Sequence, residues 1–489
     1  MAFSMAWPGD AVEDRAGDDQ ARGLLAGFRR ELYRCLARRA DALFEACDAV
    51  LCRPERVHML AELSLEPECR RGHGAVYDAL NCGEIGIGRL RRALAGLPLP
   101  AREDGRIRLA ADVSNWLRPG AQASPERLFC HCYARGKGNA QMIPGWPYSF
   151  VVALEPGRAS WTLPLDAVRL GPADDATAVT AGQVREVVMR IIDAGQWSDG
   201  DPDILVVFDA GYDLTRLAWL LAGLPVEVAG RVRSDRVMYF PAPARVPGTT
   251  GRPTRHGAAL RLAGPLPDPA AGMTAVHETA RYGPVQVSAW NRLHQKLTGR
   301  AGWEGHDGEL PVIEGTLIRL HATSRLPGCP PLEPMWLWSS RPGARPDEVT
   351  MTWQAYLRRF DIEHTFRFFK QVLGWTRPKL RDPAAADRWT WLIIAAYAQL
   401  RLARHLAADL RLPWQQPCPP GQLTPARVRR GFRNIRQTLP ALASAPKPGK
   451  PGPGRPPGSK NRHPATRHDV GKTVKRAGTL NDPRKQPRG

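Results

Sequence analysis

No run of about 18 apolar residues occurs in this 489-residue chain, so no segment is expected to span a membrane as a helix. Met1 to Gln20 turns acidic after a short mixed start. It has no basic stretch leading into an apolar core, so it does not read as a signal peptide. Cysteine is sparse and unpatterned. The nine thiols include no Cys-x-x-Cys pair, and Cys130-His131-Cys132 is too tight for an ordinary zinc site. Free thiols in a reducing cytoplasm are expected. No internal repeat is apparent. Acidic side chains are the scarcer charge, 48 against 69 basic, for a formal net charge of +21. Such an excess is silent about fold but favours a polyanionic partner, because cations near phosphates release condensed counterions. The plainer reading is a basic soluble protein from an arginine-rich genome.

The length suggests roughly two to four domains. Residues 1–20 read as disordered and 21–104 as a basic helical domain, with Leu25, Phe28, Leu32 and Leu36 at helical spacing. That domain fits DNA binding and fits a plain helical bundle equally well. From about residue 105 the texture changes. Arg106 to Asp112 alternates as a strand does, and Thr180 to Ala194 reads as a helix opened by a capping box at Thr180 and Gln183. Ile204 to Phe208 is a continuous apolar run, suited to a strand buried on both faces. Strand, helix, strand implies an α/β sheet. Residues 236–340 are dense in Pro and Gly and read as a β-rich insertion. Met351 to Leu373 and Ala384 to Leu406 read as long helices, and 411–444 as a basic helical segment. Residues 445–489 hold twelve basic and two acidic side chains with almost no apolar content, a tail expected to be disordered when free.

The most specific pattern is on the first of those long helices. Tyr356, Arg359, Glu363 and Lys370 fall within an arc of about 60° at about 100° per residue. A carboxylate flanked by cations and a tyrosine can hold a metal and grip phosphates; it can equally be a surface helix laced with i,i+4 ion pairs. The spacing Y-x2-R-x3-E-x6-K resembles the signature of a branch of bacterial insertion-sequence transposases of the DDE class, in the ribonuclease H-like superfamily. In that family one Asp ends the first core strand and a second ends a later buried strand. Leu109-Ala-Ala-Asp112 and Leu205-Val-Val-Phe-Asp209 are similar to these. The resemblance covers about residues 105 to 375.

The resemblance implies a ribonuclease H-like mixed sheet, formed by residues 105–235 and 341–410, interrupted by the insertion. It implies Asp112, Asp209 and Glu363 as catalytic metal ligands for two Mg²⁺ ions, with Mn²⁺ able to substitute. The chemistry suits these residue types. In-line attack on a phosphodiester is served by two ions that stabilise attacking and leaving oxygens, and Mg²⁺ prefers hard oxygen ligands. Either Asp could instead be a turn residue, Asp112 beside Ser114 and Asn115, Asp209 in an Asx-turn before Gly211. Asp213 reads as a helix N-cap.

Further implied phosphate contacts are Tyr356, Arg359 and Lys370, then Arg231, Arg233 and Arg236; Arg135 and Lys137, which read as a basic hairpin tip after the first strand, are a further candidate DNA contact. Trp290 and Trp303 are candidates for stacking on a flipped base, with core packing the alternative. In the tail, Arg455, Lys460 and Arg462 resemble an AT-hook for the minor groove, although Pro457 stands where a second basic residue is usual. The basic segment Pro425 to Arg436 is a candidate clamp on DNA. The expected protein is a bacterial transposase, cytoplasmic and nucleoid-associated. It would bind double-stranded DNA at transposon ends and target, as a homodimer in the DNA complex. The alternatives are a non-catalytic DNA-binding protein, decayed or domesticated, and a host nuclease on the same scaffold.

Overall fold

The computed structural model describes residues 8–100, 104–133, 140–157, 160–248, 250–264, 271–279, 283–297, 303, 306, 308–322, 333–419, 421–447 and 464–472. The chain opens on α1 (Pro8–Cys35), β1 (Leu36–Arg38), α2 (Ala40–Cys52), α3 (Leu60–Leu63), α4 (His73–Cys82), β2 (Glu84–Ile85) and α5 (Ile87–Ala95). The central part follows as β3 (Arg108–Leu117), β4 (Leu128–Tyr133), β5 (Ala140–Leu154), β6 (Thr162–Arg169), α6 (Ala176–Asp193), β7 (Ile204–Phe208), α7 (Leu214–Leu220) and β8 (Val226–Val232). Six more strands come next: β9 (Val237–Pro241), β10 (His256–Arg261), β11 (Met273–Thr279), β12 (Gly283–Gln295), β13 (Gly315–Ala322) and β14 (Met335–Ser339). The chain then turns helical with α8 (Pro346–Arg358), α9 (Phe360–Gln371), α10 (Pro383–Leu402) and α11 (Pro425–Gln437).

Every residue of β7 is buried, and β7 runs parallel between β3 and β8. A strand enclosed in this way has no polar face to show, which accounts for its unbroken apolar run. β3 also pairs antiparallel with β5, which bonds β4 along its first half and β6 along its second. The order β6-β5-β3-β7-β8, an antiparallel meander feeding two parallel strands, is a ribonuclease H-like core. β14 joins the free edge of β8 antiparallel, and β13, β12, β9 and β10 continue from it. The β-rich stretch is therefore hydrogen-bonded into the core sheet.

Several element boundaries differ from the sequence expectation. α1 starts at Pro8, inside the stretch whose composition suggested disorder. α6 starts at Ala176, where the Asp175 carboxylate accepts from Thr177 N (3.0 Å) and Ala178 N (3.2 Å). Thr180 and Gln183, the expected capping box, are buried inside this helix, and Gln183 Nε2 donates to Ser149 O at 3.1 Å. Met351 to Leu373 is not one helix. α8 opens at Pro346, where Glu348 accepts from Arg345 N at 2.8 Å, and the run breaks at Arg359 before α9.

Three residues past the end of α9 stands Gly374, at φ +72°, where an added Cβ would lie 2.7 Å from Val57 O and 2.8 Å from Val57 Cβ. Left-handed backbone and close approach both demand glycine here. Gly374→Ala is expected to lower stability by on the order of 2–4 kcal/mol, read from the urea midpoint. An unchanged midpoint would mean that this turn does not hold α9 in place.

Candidate active site

The register of the parallel strands positions two carboxylates. The last parallel pair is Ala111↔Phe208, and Asp112 and Asp209 are the next residues on their strands. Asp112 does not end β3 as expected. The strand continues to Leu117, held by β5, and it is β7 that stops at this level. Asp209 thus leads a loop, and α7 begins shortly after with Asp213 as N-cap, its carboxylate accepting from Arg216 N at 3.0 Å.

Glu363 arrives from α9. The apolar face of that helix packs against Phe150, with ring centroids 5.1 Å away for Phe366 and 6.3 Å for Phe369. Phe150 is the β5 partner of Asp112, so the residue beside one acid anchors the helix that carries another. Packing on this face leaves Glu363 exposed on the opposite side.

The three carboxylates meet on one guanidinium. Arg359 Nη1 donates to Asp112 Oδ2 at 2.7 Å, and Nη2 donates to Glu363 Oε1 at 3.1 Å and lies 3.7 Å from Asp209 Oδ1. Arg359 is 3% exposed, and its charge survives burial because Asp112, Asp209, Tyr356 and Glu363 surround it. Tyr356 donates its hydroxyl to Asp209 Oδ1 at 3.2 Å. Burial, then the Asp209 charge, push that phenol up to about 12, so it stays a donor. Lys370 stands over Trp375 (5.7 Å), close enough to Asp112 to feel its charge, and burial lowers its pKa. Arg233 lines a cleft of about 560 Å³ together with Asp112, Asp209 and Tyr212.

The donor set is that of a hard divalent cation, three carboxylates with no thiolate or imidazole among them. Among the described residues no three His, Cys, Asp or Glu side chains stand close enough together to hold an ion at once. The guanidinium of Arg359 bridges the acids, supplying the positive charge their mutual repulsion requires. The acids therefore fit a divalent cation by chemistry, in competition with this arginine.

Burial pushes the Asp112 carboxyl up to about 6; Arg359 opposes the shift, and Asp209 and Glu363 add to it. A carboxyl with a raised pKa binds its proton more tightly in the folded state. Its contribution to stability is therefore lost as pH rises from about 4 to about 6. Without divalent metal, Asp112→Asn is expected to be more stable than the parent at neutral pH by about 1–3 kcal/mol, and the difference should shrink towards about pH 4. Urea midpoints at both pH values test this; a difference independent of pH would remove Asp112 as its source.

Other expected positions fall differently. Arg231 and Arg236 are exposed, on β8 and in the turn to β9. Trp290 and Trp303 are buried, packed at 5.8 Å on Trp336 and Trp219 respectively, so core packing describes both and neither offers an exposed stacking surface. Arg135, Lys137, Arg455, Lys460 and Arg462 lie outside the described residues. The arginines of α11 are engaged inside the molecule rather than displayed as a clamp. Arg433 bonds Glu66 and Glu68, Arg436 bonds Asp48, and Arg429 donates to Val50 O and Glu55 O. Tyr212 has no place among the sequence-based expectations. It packs on Phe208 at 5.1 Å, and its buried hydroxyl has no hydrogen-bond partner among the described residues. Its only sequence signal is its place just after Asp209.

The chain matches the family model of the DDE superfamily endonucleases over residues 31–296, more than half of its length. No curated protein matches it. The matched region includes Asp112 and Asp209, while Glu363 lies beyond it. DDE endonucleases are nuclease-type enzymes that act on DNA and generally use divalent metal ions, and no helix among the described residues is long and apolar enough to cross a membrane. By the extent of this match and by its ribonuclease H-like core, the chain belongs to the DDE superfamily endonucleases, the superfamily of the DDE-class transposases.

Proposed function

We propose that this protein is a transposase of the Y-R-E-K branch, which binds the terminal inverted repeats of a bacterial insertion sequence and catalyses DNA cleavage and strand transfer. The observation that carries this reading is the convergence of Asp112, Asp209 and Glu363, from three distant chain segments, on Arg359. A surface ion-pair helix would have no reason to meet one aspartate within β3 and another just past the end of β7.

Asp112, Asp209 and Glu363 are the residues that would hold two Mg²⁺ ions, or Mn²⁺ in their place. Divalent ions bound there would supply Lewis-acid chemistry for phosphodiester cleavage. The chain's own groups orient the reactants. The strand scaffold holds the two aspartates rigidly, and the Tyr356 hydroxyl fixes one Asp209 oxygen. Arg359, released from the carboxylates, has a planar fork suited to a phosphate. Arg233 adds charge in the cleft, where a phosphodiester backbone would lie, and Lys370 adds charge within reach of Asp112. Within this reading the protein acts as a homodimer on paired ends in the bacterial nucleoid, and the N-terminal helices contribute to end binding.

The test is strand cleavage of DNA carrying the element's own terminal repeats, with Mg²⁺ or Mn²⁺, against a duplex lacking them. Metal-dependent nicks at the repeat boundary are expected. Cuts without regard to the repeats would make the chain a general nuclease. Tight repeat binding with no cleavage would make it a DNA-binding protein only.

A further inference from the structure

The loop from α9 to α10 alternates in a way that core packing alone does not require. Arg377, Lys379 and Arg381 are exposed, while Pro378 and Leu380 between them are buried. Arg118, at the end of β3, pins the loop by donating to the carbonyls of both intervening residues, Pro378 O at 3.4 Å and Leu380 O. Arg381 is steadied by Nε donating to Ala123 O at 3.2 Å. With the inward residues packed and their carbonyls tied, the three cations face outward in a row. Alternate residues lie at most about 7 Å apart along a chain, a step comparable to that between neighbouring phosphates of one DNA strand.

A second segment extends the row. Residues 464–472 return to the core and dock on the β3–β4 connection. His468 N donates to Gln122 O at 2.9 Å, Gly471 N to Arg127 O at 2.7 Å, and Arg127 Nη2 to His468 O at 2.8 Å. This docking puts Arg467 on the same depression as Arg381, which adjoins the one lined by Arg377 and Lys379. Nearby acids do not neutralise the row. Asp382 caps α10 through Ala384 N (2.9 Å), and Asp469 pairs with Lys472 (3.0 Å). Among the described residues, none of Arg377, Lys379, Arg381 and Arg467 forms an ion pair with an acid.

Holding four unneutralised cations in line is unfavourable by mutual repulsion unless a polyanion lies along them. We propose that Arg377, Lys379, Arg381 and the docked Arg467 form a phosphate track that grips duplex DNA leaving the catalytic acids along α9. The inference rests on the reading that the site acts on DNA, and it adds a binding surface that the signature residues do not include. Direct readout of bases is not part of it, since point charges on a backbone carry no sequence information. Binding through this track is thus common to all DNA sequences.

Equilibrium binding of the full chain to a mixed-sequence duplex, in chelator so that nothing is cut, is measured over a range of salt. Each cation withdrawn from a phosphate lowers the slope of log affinity against log salt by about 0.9. Arg377→Gln/Lys379→Gln/Arg381→Gln is expected to lower the slope by about 3 and weaken binding on the order of 10–100-fold near physiological salt. Adding Arg467→Gln lowers the slope by about one more. Arg377→Lys/Arg381→Lys keeps the charge and is expected to keep the slope. Loss of binding in this charge-keeping variant too, with a lowered melting temperature, would make the role structural and overturn the proposal. A parental slope in the triple Gln variant would overturn it while leaving the DNA reading intact. Absence of salt-dependent binding by the parent would remove the DNA reading itself, and the track with it.

Discussion

Asp209→Asn and Glu363→Gln are each expected to abolish metal-dependent strand cleavage, by on the order of 10³-fold or more, without loss of fold. That size is typical when one member of a cooperating catalytic set is removed. Both changes are isosteric and remove one negative charge. Asp209 is partly exposed and held by Tyr356 alone through a full hydrogen bond, which an amide oxygen also accepts. Glu363 is half exposed, on the free side of a helix whose other side is packed. Neither side chain supports the core, so the melting temperature in the absence of metal is expected to stay level or rise as repulsion among the acids falls. The same variants should still bind DNA, because their positive groups are intact. Cleavage that persists in either variant would place the chemistry elsewhere; cleavage lost together with the fold would say nothing special about the carboxylate. Calorimetric titration with Mn²⁺ separates the roles further. Loss of metal binding along with loss of cleavage identifies a ligand, whereas retained binding would assign the acid to orienting the reactants.

The largest expected loss of stability is at Asp48. Its carboxylate lies in α2, 3% exposed, and accepts from Arg29 Nη1 at 2.6 Å, Arg29 Nη2 at 2.9 Å and Arg436 Nε at 2.6 Å. Arg29 also donates to Gln399 Oε1 of α10. One carboxylate therefore ties α1, α2 and α11 together, and its arginine reaches α10. Asp48→Ala would leave a fully buried guanidinium without its counter-charge, at a loss of about 3–5 kcal/mol. Asp48→Asn, which keeps an acceptor but not the charge, is expected to fall between. A loss below about 1 kcal/mol, measured by urea unfolding, would show that water reaches Arg29 and that the pair behaves as a surface one. Strand cleavage by whatever protein remains folded is expected to be normal, since the network is separate from the three acids.

The strands, most helices and the four residues of the signature stripe were legible because their patterns are local. An unbroken apolar run such as Ile204 to Phe208 can only be an enclosed strand or a buried helix, and its shortness and β-branched content decide between them. The helical spacing of Tyr356, Arg359, Glu363 and Lys370 holds across the break at Arg359, because that residue keeps helical backbone angles. Where a polar residue competes for a cap, pattern is weaker. Thr180 has the spacing of a cap with Gln183, but Gln183 is buried against Ser149 and the helix starts earlier, capped by Asp175.

What sequence alone determined is which side chains exist and how they repeat along each element: the basic balance, the buried strand, the acid placed after it, the stripe on the helix. Only the tertiary structure decided which of them meet. Arg359 could have paired with Glu363 alone, as the i,i+4 spacing allows; the sheet register brings Asp112 and Asp209 to the same guanidinium. The arginines of α11 look free for DNA in one dimension but are drawn into Glu66, Glu68 and Asp48 by packing. Arg377, Lys379 and Arg381 carry no motif, yet the anchoring of Pro378 and Leu380 by Arg118 turns them outward in a row. Charge is written in the sequence, but whether a charge is neutralised, buried or displayed depends on partners hundreds of residues away.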